Sequence, residues 1–193
     1  MVSAYGSDLT PYDWTMTLNA NNTPNNHLQF TPGTLAHKIA TTPEFSRFYY
    51  LIKLGAVASL LNSFTIDYTL FVPTNSAFEQ TFQPFNEDII MNMDKYTAKE
   101  LVLYHLLPMH IPLGVLESSN GMYLETKIAN EIHANILYEK VSARGDNKLL
   151  MLNNMSIITG GDIKTSNGLI HIISKLLIPP AFTSTFAPYI IGG

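Results

Sequence analysis

The chain contains no cysteine, one tryptophan and little charge among its 193 residues. Without cysteine it can form neither a disulfide nor a thiolate metal site. Only 13% of its residues are charged and 46% are hydrophobic, whereas an ordinary soluble domain has about 25% charged residues. Since a surface with so little charge resists aggregation poorly, this composition favours a protein whose surface is largely covered by neighbours.

Several classes of partner have no signature in the sequence. The formal net charge is −4 and no run of Lys or Arg occurs, so we expect no nucleic-acid partner. The longest apolar stretch, residues 54–61, is too short to span a bilayer, so we expect no transmembrane segment. Residues 1–26 are polar and lack the basic start and apolar run of a secretory leader. The sequence therefore does not assign the protein to a cellular compartment.

The chain divides into three parts by composition. Residues 1–33 are rich in Asn and Pro and predict an irregular arm, residues 34–180 predict one folded domain, and residues 181–193 predict an irregular apolar tail. We expect aromatic residues of the arm to anchor it against a neighbouring subunit. These residues are Tyr5, Tyr12, Trp14 and Phe30.

Helix signals dominate the first half of the predicted domain. Thr34 can cap a short helix, and residues 42–44 supply a cap, a proline for the first helical position and an acid for the first turn. Residues 97–100 have the spacing of a capping box before another apolar stripe. Pro108 and Pro112 then end the helical part.

Strand signals dominate the second half. Candidate strands cover residues 65–72, 109–116, 122–127, 132–141, 148–152, 156–159 and 169–173. Glycine and asparagine pairs, among them residues 153–154 and 160–161, predict turns between them. Helices followed by strands indicate an α+β domain with a mostly antiparallel sheet.

Two blocks, residues 68–78 and 167–180, have the strongest local patterns. In the first, an apolar strand stops at Pro73, and a helix follows. In the second, Asn167 and Gly168 predict a left-handed turn before the apolar run of residues 169–173. Such a continuous run is typical of a strand that is buried on both faces.

These two blocks and the Tyr-His segment at residues 103–108 resemble the signature segments of the fasciclin-like domain family, in order and in spacing. The resemblance covers about residues 31–180. It implies a fasciclin-like fold, a wedge or sandwich of mostly antiparallel strands with several helices packed on it. Members of the family are mostly adhesion and matrix proteins without catalytic activity, and viral and bacterial versions occur.

The resemblance also implies candidate interaction residues. Receptor binding in the family is associated with an Asp-Ile pair and with the Tyr-His segment, which correspond here to Asp162–Ile163 and Tyr104–His105. A structural explanation competes with this one, in which Tyr104 and Ile163 are core residues and Asp162 accepts hydrogen bonds from turn amides. We favour the structural explanation.

A third candidate is the tripeptide Arg144, Gly145 and Asp146, which lies on a predicted hairpin tip. Exposure there would suit binding of an integrin-type receptor. The same three residues are also good turn formers, and a tripeptide arises often by chance. We favour the turn interpretation.

Metal, cofactor and catalytic motifs are not found in the sequence. Its six histidines lack the spacing of a metal site. His105 and His171 lie in apolar segments, which predicts hydrogen-bonded core histidines. No nucleophile elbow or phosphate-binding glycine loop occurs, so we expect no metal, no cofactor and no enzymatic activity.

Two functions fit these observations, and both make other proteins the partners. The first, which we prefer narrowly, is a structural component of a large assembly, for example a minor capsid protein in a virion. The alternative is a secreted or surface-anchored module for cell adhesion or the extracellular matrix. An enzyme or small-ligand binder is a third and weaker hypothesis.

Overall fold

The computed structural model of the chain describes residues 30–65, 67–119, 121–141 and 145–190. For residues 131, 133–141 and 145–148 it describes the backbone alone. Three of the four aromatic residues expected to anchor the arm, Tyr5, Tyr12 and Trp14, lie outside the described residues.

Helices occupy most of the first half of the described chain. They are α1 (Leu35–Ala40), α2 (Ser46–Leu54), α3 (Ala58–Leu61), α4 (Asn75–Thr81), α5 (Asp88–Met91), α6 (Lys95–Tyr104), α7 (Leu113–Ser118) and α8 (Thr183–Phe186). Short 3₁₀ helices cover Pro43–Phe45, Pro180–Phe182 and Ala187–Tyr189. The predicted cap at Thr34 is confirmed, since its hydroxyl accepts a hydrogen bond from the backbone N–H of His37 at 3.2 Å.

The strands form one seven-stranded sheet with the order β2-β1-β7-β6-β5-β4-β3. They are β1 (Tyr68–Pro73), β2 (Leu106–Leu107), β3 (Met122–Glu125), β4 (Glu131–Val141), β5 (Gly145–Leu152), β6 (Ser156–Thr165) and β7 (Gly168–Ile173). Strands β1 and β7 are parallel, and the other neighbours are antiparallel. The predicted α+β class with a mostly antiparallel sheet is confirmed.

The sheet is curled, so its two ends approach each other. The backbone N–H of Lys127, two residues after the edge strand β3, donates to the carbonyl of Leu106 in the opposite edge strand β2 at 2.8 Å. This contact covers part of both edges, which would otherwise present unpaired backbone groups.

Buried side chains lie on both faces of the central strands. In β1, Leu70 and Val72 belong to one apolar cluster, which also includes side chains of α1, α2, α3 and α6. Phe71 points to the other face and belongs to a second cluster with Leu107, Leu152 and other residues. Because neighbouring residues of a strand face opposite sides, the unbroken apolar run in β1 is explained by burial on both faces.

Asn167 joins the start of β7 to two helices that are distant in sequence. Its side-chain carbonyl accepts from the backbone N–H of Leu35 at 2.8 Å. Its amide nitrogen donates to the carbonyls of Leu61 at 2.9 Å and Ser63 at 2.7 Å. One buried amide therefore satisfies backbone groups at the start of α1 and at the end of α3.

Gly168 is required by close packing and not by a left-handed turn, so our prediction for this position was wrong. The backbone φ angle of Gly168 is not positive. Gly168 pairs with Tyr68 in the parallel ladder, and a Cβ atom at residue 168 would collide with the carbonyl oxygen of Tyr68. Glycine lets the two strands approach each other here.

Two predicted elements in the second half were also wrong. The predicted strand at residues 109–116 is a loop followed by helix α7, in which Leu116 is buried and Val115 is 40% exposed. A short apolar run fits a strand and a one-sided helix equally well. Gly160 and Gly161 lie inside β6 at an irregularity of its pairing with β7 and form no turn between strands.

Smaller differences concern helix ends. The first turn of α6 is capped by Asp94, which accepts from the backbone N–H of Thr97 at 3.0 Å, so Thr97 is not the cap that we predicted. The chain from residue 180 to residue 189 is helical and not irregular. The division of the chain at residues 33 and 180 stays a prediction.

Replacing Gly168 with alanine is expected to lower the free energy of unfolding by about 3 kcal/mol, because β1 and β7 must separate to admit a methyl group. Urea denaturation of the purified protein measures this change. Gly114 in α7 is the matched control, since a Cβ there would meet no atom within 4 Å. Gly114→Ala should raise the free energy of unfolding by about 0.5 kcal/mol through helix propensity. Equal effects of the two substitutions would contradict this account of Gly168.

Candidate functional site

The loop after β2 and the first residue of α7, together residues 109–113, are fixed to the sheet by three side chains. The first is Thr69 in β1, whose hydroxyl donates to the carbonyl of Met109 and accepts from the backbone N–H of Ile111, both at 2.8 Å. Thr69 is fully buried. It thus supplies both a donor and an acceptor to a loop that has no strand partner at these positions.

The second side chain is His171 in β7, which is fully buried. Its Nδ1 accepts from the backbone N–H of Asp162 at 3.2 Å, so its Nε2 carries the proton and donates to the carbonyl of Ile111 at 2.8 Å. Burial lowers the pKa of His171. The neutral ring therefore links β6, β7 and the loop.

The third side chain is Asp162 in β6, which lies in the left-handed region with a φ of 53°. Its Oδ1 accepts from the backbone N–H of Leu113 at 2.9 Å, which is the first residue of α7. Gly161 makes this approach possible, because a Cβ there would lie 2.6 Å from the Leu113 side chain and 2.7 Å from His171 Nδ1. Asp162 itself is exposed.

Ile163 is partly buried, whereas the adjacent Asp162 is exposed. It pairs with Ile170 in β7 and packs, partly buried, against the larger apolar cluster. The candidate pair therefore combines an exposed carboxylate with a side chain that contributes to packing. Its role in receptor binding stays a prediction.

Tyr104 and His105 are buried, with exposed fractions of 1% and 0%. The Tyr104 hydroxyl accepts from the side-chain amide of Asn153 at 3.0 Å. His105 Nε2 accepts from the backbone N–H of Leu177 at 3.0 Å, so Nδ1 donates to the carbonyl of Leu101 at 2.7 Å. Burial lowers the pKa of His105 to about 4. Neither side chain presents a surface to a partner in this conformation.

The structure therefore does not bring the candidate interaction motifs together in one site. Asp162 bonds to the first residue of α7. Tyr104 bonds to Asn153, and His105 bonds to Leu101 and Leu177. Gly145 and Asp146 begin β5, opposite Val141 and Lys140 of β4. Arg144 lies outside the described residues, and the tripeptide stays a prediction.

Phe30 is the one predicted arm anchor within the described residues. It is half-buried and makes an edge-to-face contact with Tyr49 of α2, with ring centroids 6.1 Å apart. Its contact is therefore with its own domain. The expectation of a neighbouring subunit as its partner receives no support from this contact.

Of the three residues that hold the loop, the sequence analysis named Asp162 and His171 and missed Thr69. Thr69 could have been noticed as a polar residue within the apolar strand Tyr68–Pro73, a position that requires a hydrogen-bonding partner when buried. No local sequence pattern predicts the contact of His110 Nδ1 with the Asp67 carboxylate at 2.8 Å. Such a contact can be recognised only when the pairing of β2 with β1 is known.

Other kinds of site find no support within the described ranges. There, no three His, Asp, Glu or Cys side chains lie close enough together to hold a metal ion. In the same residues, no helix has both the length and the apolar character to cross a bilayer.

The comparison with protein families gives one match that covers most of the chain. The family model described as "Fasciclin domain" matches residues 43–179. A solved FAS1 domain pair from the insect cell adhesion molecule fasciclin I superposes with a TM-score of 0.63 at 20% identity, over 78% of this chain and 52% of that one. At this identity the superposition shows the fold alone.

Three curated proteins are similar in sequence. Human periostin is 33% identical over 145 residues, which are 75% of this chain and 16% of periostin. Transforming growth factor-beta-induced protein ig-h3 of Sus scrofa is 27% identical over 156 residues, 79% of this chain and 21% of that protein. Protein sll1483 of Synechocystis is 24% identical over 135 residues, 69% and 68% of the two chains. The chain thus spans less than a quarter of periostin and of ig-h3.

These relatives bear on the two functions that the sequence left open. The Fasciclin domain match and the similarity to periostin and to ig-h3 do not point to a virion. Our preference for a minor capsid protein is therefore unsupported, and the alternative of an adhesion or matrix module has the better support.

Lowering the pH from about 7.5 to about 5 is expected to reduce the free energy of unfolding by about 2 kcal/mol through His105 alone. The pKa of His105 is about 4 in the folded chain, against about 6.5 in an unfolded one. Below about pH 6.5 the unfolded chain therefore binds a proton that the folded chain does not. Stability is complete above that pH and declines until about pH 4. His171, with its lowered pKa, adds to the loss in the same direction.

Urea denaturation at the two pH values measures the loss. His105→Asn should reduce the pH-dependent loss by about 2 kcal/mol, although this variant is less stable at neutral pH. His37→Gln, at a half-buried position of α1, should keep the full loss. An unchanged pH dependence in the His105 variant would show that this residue is not the buried neutral group we describe.

Proposed function

The chain belongs to the Fasciclin domain family, and on that basis we propose that it is a non-catalytic protein–protein interaction module that acts in cell adhesion or in an extracellular matrix. Its partners in this proposal are other proteins of the cell surface or the matrix. The proposal concerns this domain, and a longer protein that contains it can have further functions.

The observation that carries the proposal is a surface that we call the Asp162 face, formed by Asp162, Met109 and Val115. Met109 and Val115 are 42% and 40% exposed, although they are large apolar residues. Met109 lies on the segment that Thr69, His171 and Asp162 hold, and Val115 lies two residues beyond it, in the first turn of α7. Exposed apolar residues and an exposed carboxylate, all on or next to one fixed segment, supply the two components of a typical protein interface, an apolar centre and a polar rim.

The carboxylate of Asp162 retains binding capacity after its structural bond is made. Oδ1 accepts from Leu113, and Oδ2 has no hydrogen-bond partner among the described residues. A donor or cation of a partner protein can therefore bind Oδ2 without breaking the bond that begins α7. Since the loop and the helix are already ordered, binding costs little conformational entropy.

A double substitution of Met109 and Val115 by serine should reduce cell attachment to wells coated with the purified protein. We expect about a tenfold higher coating concentration for half-maximal attachment of cultured fibroblasts, because two apolar contacts of an interface centre are lost. Phe64→Ser is the matched control, since Phe64 is 60% exposed and lies outside the Asp162 face. Thermal melting verifies that both variants are folded.

Two results would contradict the proposed function. One is attachment to the wild-type protein no greater than to albumin, which would remove the adhesion role. The other is an equal loss in the double variant and in Phe64→Ser, which would remove the Asp162 face as its site.

Replacing Asp146 with glutamate should leave attachment unchanged. Asp146 is the second residue of β5, and its backbone is opposite Lys140 in the ladder with β4. A structural role of the tripeptide in the β4–β5 hairpin would account for this position. Glutamate keeps the charge but moves the carboxylate outward by one methylene, a change that a specific receptor pocket rejects. The same attachment assay measures it, and a marked loss would restore the Arg144–Asp146 tripeptide as a binding motif.

A further inference from the structure

A groove of about 630 Å³ runs between α5, the start of α6 and the C-terminal helices. This volume lies within the range of sites that bind ligands, about 300–1,000 Å³. Apolar side chains of Ile89, Met93 and Phe186 line it together with polar ones. It is separate from the Asp162 face, since no residue of that face lines it.

Exposed apolar side chains occur at this groove and on the helices that form it. Three such residues lie on the groove or on its helices: Met91, 39% exposed, Tyr96, 65% exposed, and Tyr189, 42% exposed. Tyr189 lines the groove, and the other two lie on α5 and α6, which form its wall. Exposed tyrosine and methionine beside a concave apolar surface are enriched at sites of protein recognition.

The walls of the groove are fixed to the rest of the domain. The carbonyl of Tyr189 accepts from the backbone N–H of Gln83 at 2.7 Å. The ring of Phe186 packs on that of Phe82, with centroids 5.5 Å apart. The C-terminal wall is therefore held in place before a ligand arrives, which reduces the entropy cost of binding.

The charge of the groove has one sign. Asp88 and Asp94 line it, whereas its lining residues in the described chain include no lysine or arginine. The two hydrogen bonds from Thr97 lower the pKa of Asp94, so this carboxylate is ionised at neutral pH. The carboxylate of Asp88 accepts from the side-chain amide of Asn86 at 3.1 Å. Both carboxylates are exposed and available to a cation of a ligand.

We propose that this groove binds an extended peptide segment of another protein, in which a lysine or arginine is flanked by apolar residues. The basic side chain pairs with Asp88 and Asp94, and the flanking residues cover Ile89, Met93 and Tyr189. A second copy of this chain fits less well, because its formal net charge is −4. The described residues around the groove also hold no third ligand for a metal ion.

A phage-displayed library of random dodecapeptides, selected on the purified protein, tests this assignment. We expect the enriched peptides to carry lysine or arginine next to apolar residues. The strongest one, made synthetically with a fluorescent label, is then titrated by fluorescence polarisation. Asp88→Asn/Asp94→Asn should weaken its binding about fivefold, as expected for two exposed ion pairs. Asparagine keeps the cap of α6, so this variant retains the fold.

Matched variants separate the groove from general electrostatic attraction. Glu44→Gln/Glu125→Gln removes two exposed carboxylates that lie outside the groove and should leave binding unchanged. Tyr189→Ala should weaken binding, whereas Phe64→Ala should not. The serine variant of Met109 and Val115 should bind the peptide as the wild type does, so failure here and failure of the adhesion proposal are distinguishable.

Four results would overturn the assignment. They are the absence of any enriched peptide, enriched peptides without basic residues, unchanged binding in the Asp88/Asp94 variant, and an equal loss in the Glu44/Glu125 variant.

Discussion

The parallel pairing of β1 with β7 is the constraint on which the rest of the structure depends. Six consecutive residue pairs, from Tyr68–Gly168 to Pro73–Ile173, join segments about 100 residues apart in the chain. The pairing is possible because residue 168 has no side chain to strike the Tyr68 carbonyl. Asn167 then connects the same point to α1 and α3. Burial on both faces of β1 supplies the apolar free energy that offsets closure of so long a loop.

The Asp162 face is a consequence of this pairing. Thr69 of β1 and His171 of β7 both bond to Ile111, so the loop is held only while the two strands are neighbours. The irregular pairing of β6 with β7 then brings the backbone N–H of Asp162 to His171 and its carboxylate to the start of α7. The surface that we propose as an interaction site is thus supported by buried polar groups that each have a defined acceptor or donor, which keeps its geometry fixed.

The sequence was sufficient for the features that depend on local pattern. The cap at Thr34, the strand that ends at Pro73 and the α+β class follow from residue types and their spacing. It was insufficient where a residue acts over a long distance. Asn167 and Gly168 form a typical turn pair, yet the first bonds to residues more than 100 positions away and the second packs on a strand about 100 positions away. Residues 109–116 have a pattern that fits two structures, and contacts with the sheet decide between them.

The same geometry separates the residues that keep the fold from those that can select a partner. Asp162 accepts from the backbone N–H of Leu113, so in this chain it serves the start of α7 whether or not it binds a receptor. Its presence alone therefore says little about function. Met109 and Val115, and Tyr189 and Asp88 at the groove, have large exposed fractions and can change at small cost to folding. Differences in partner among chains of this fold are therefore expected at such exposed positions, which a signature motif does not include.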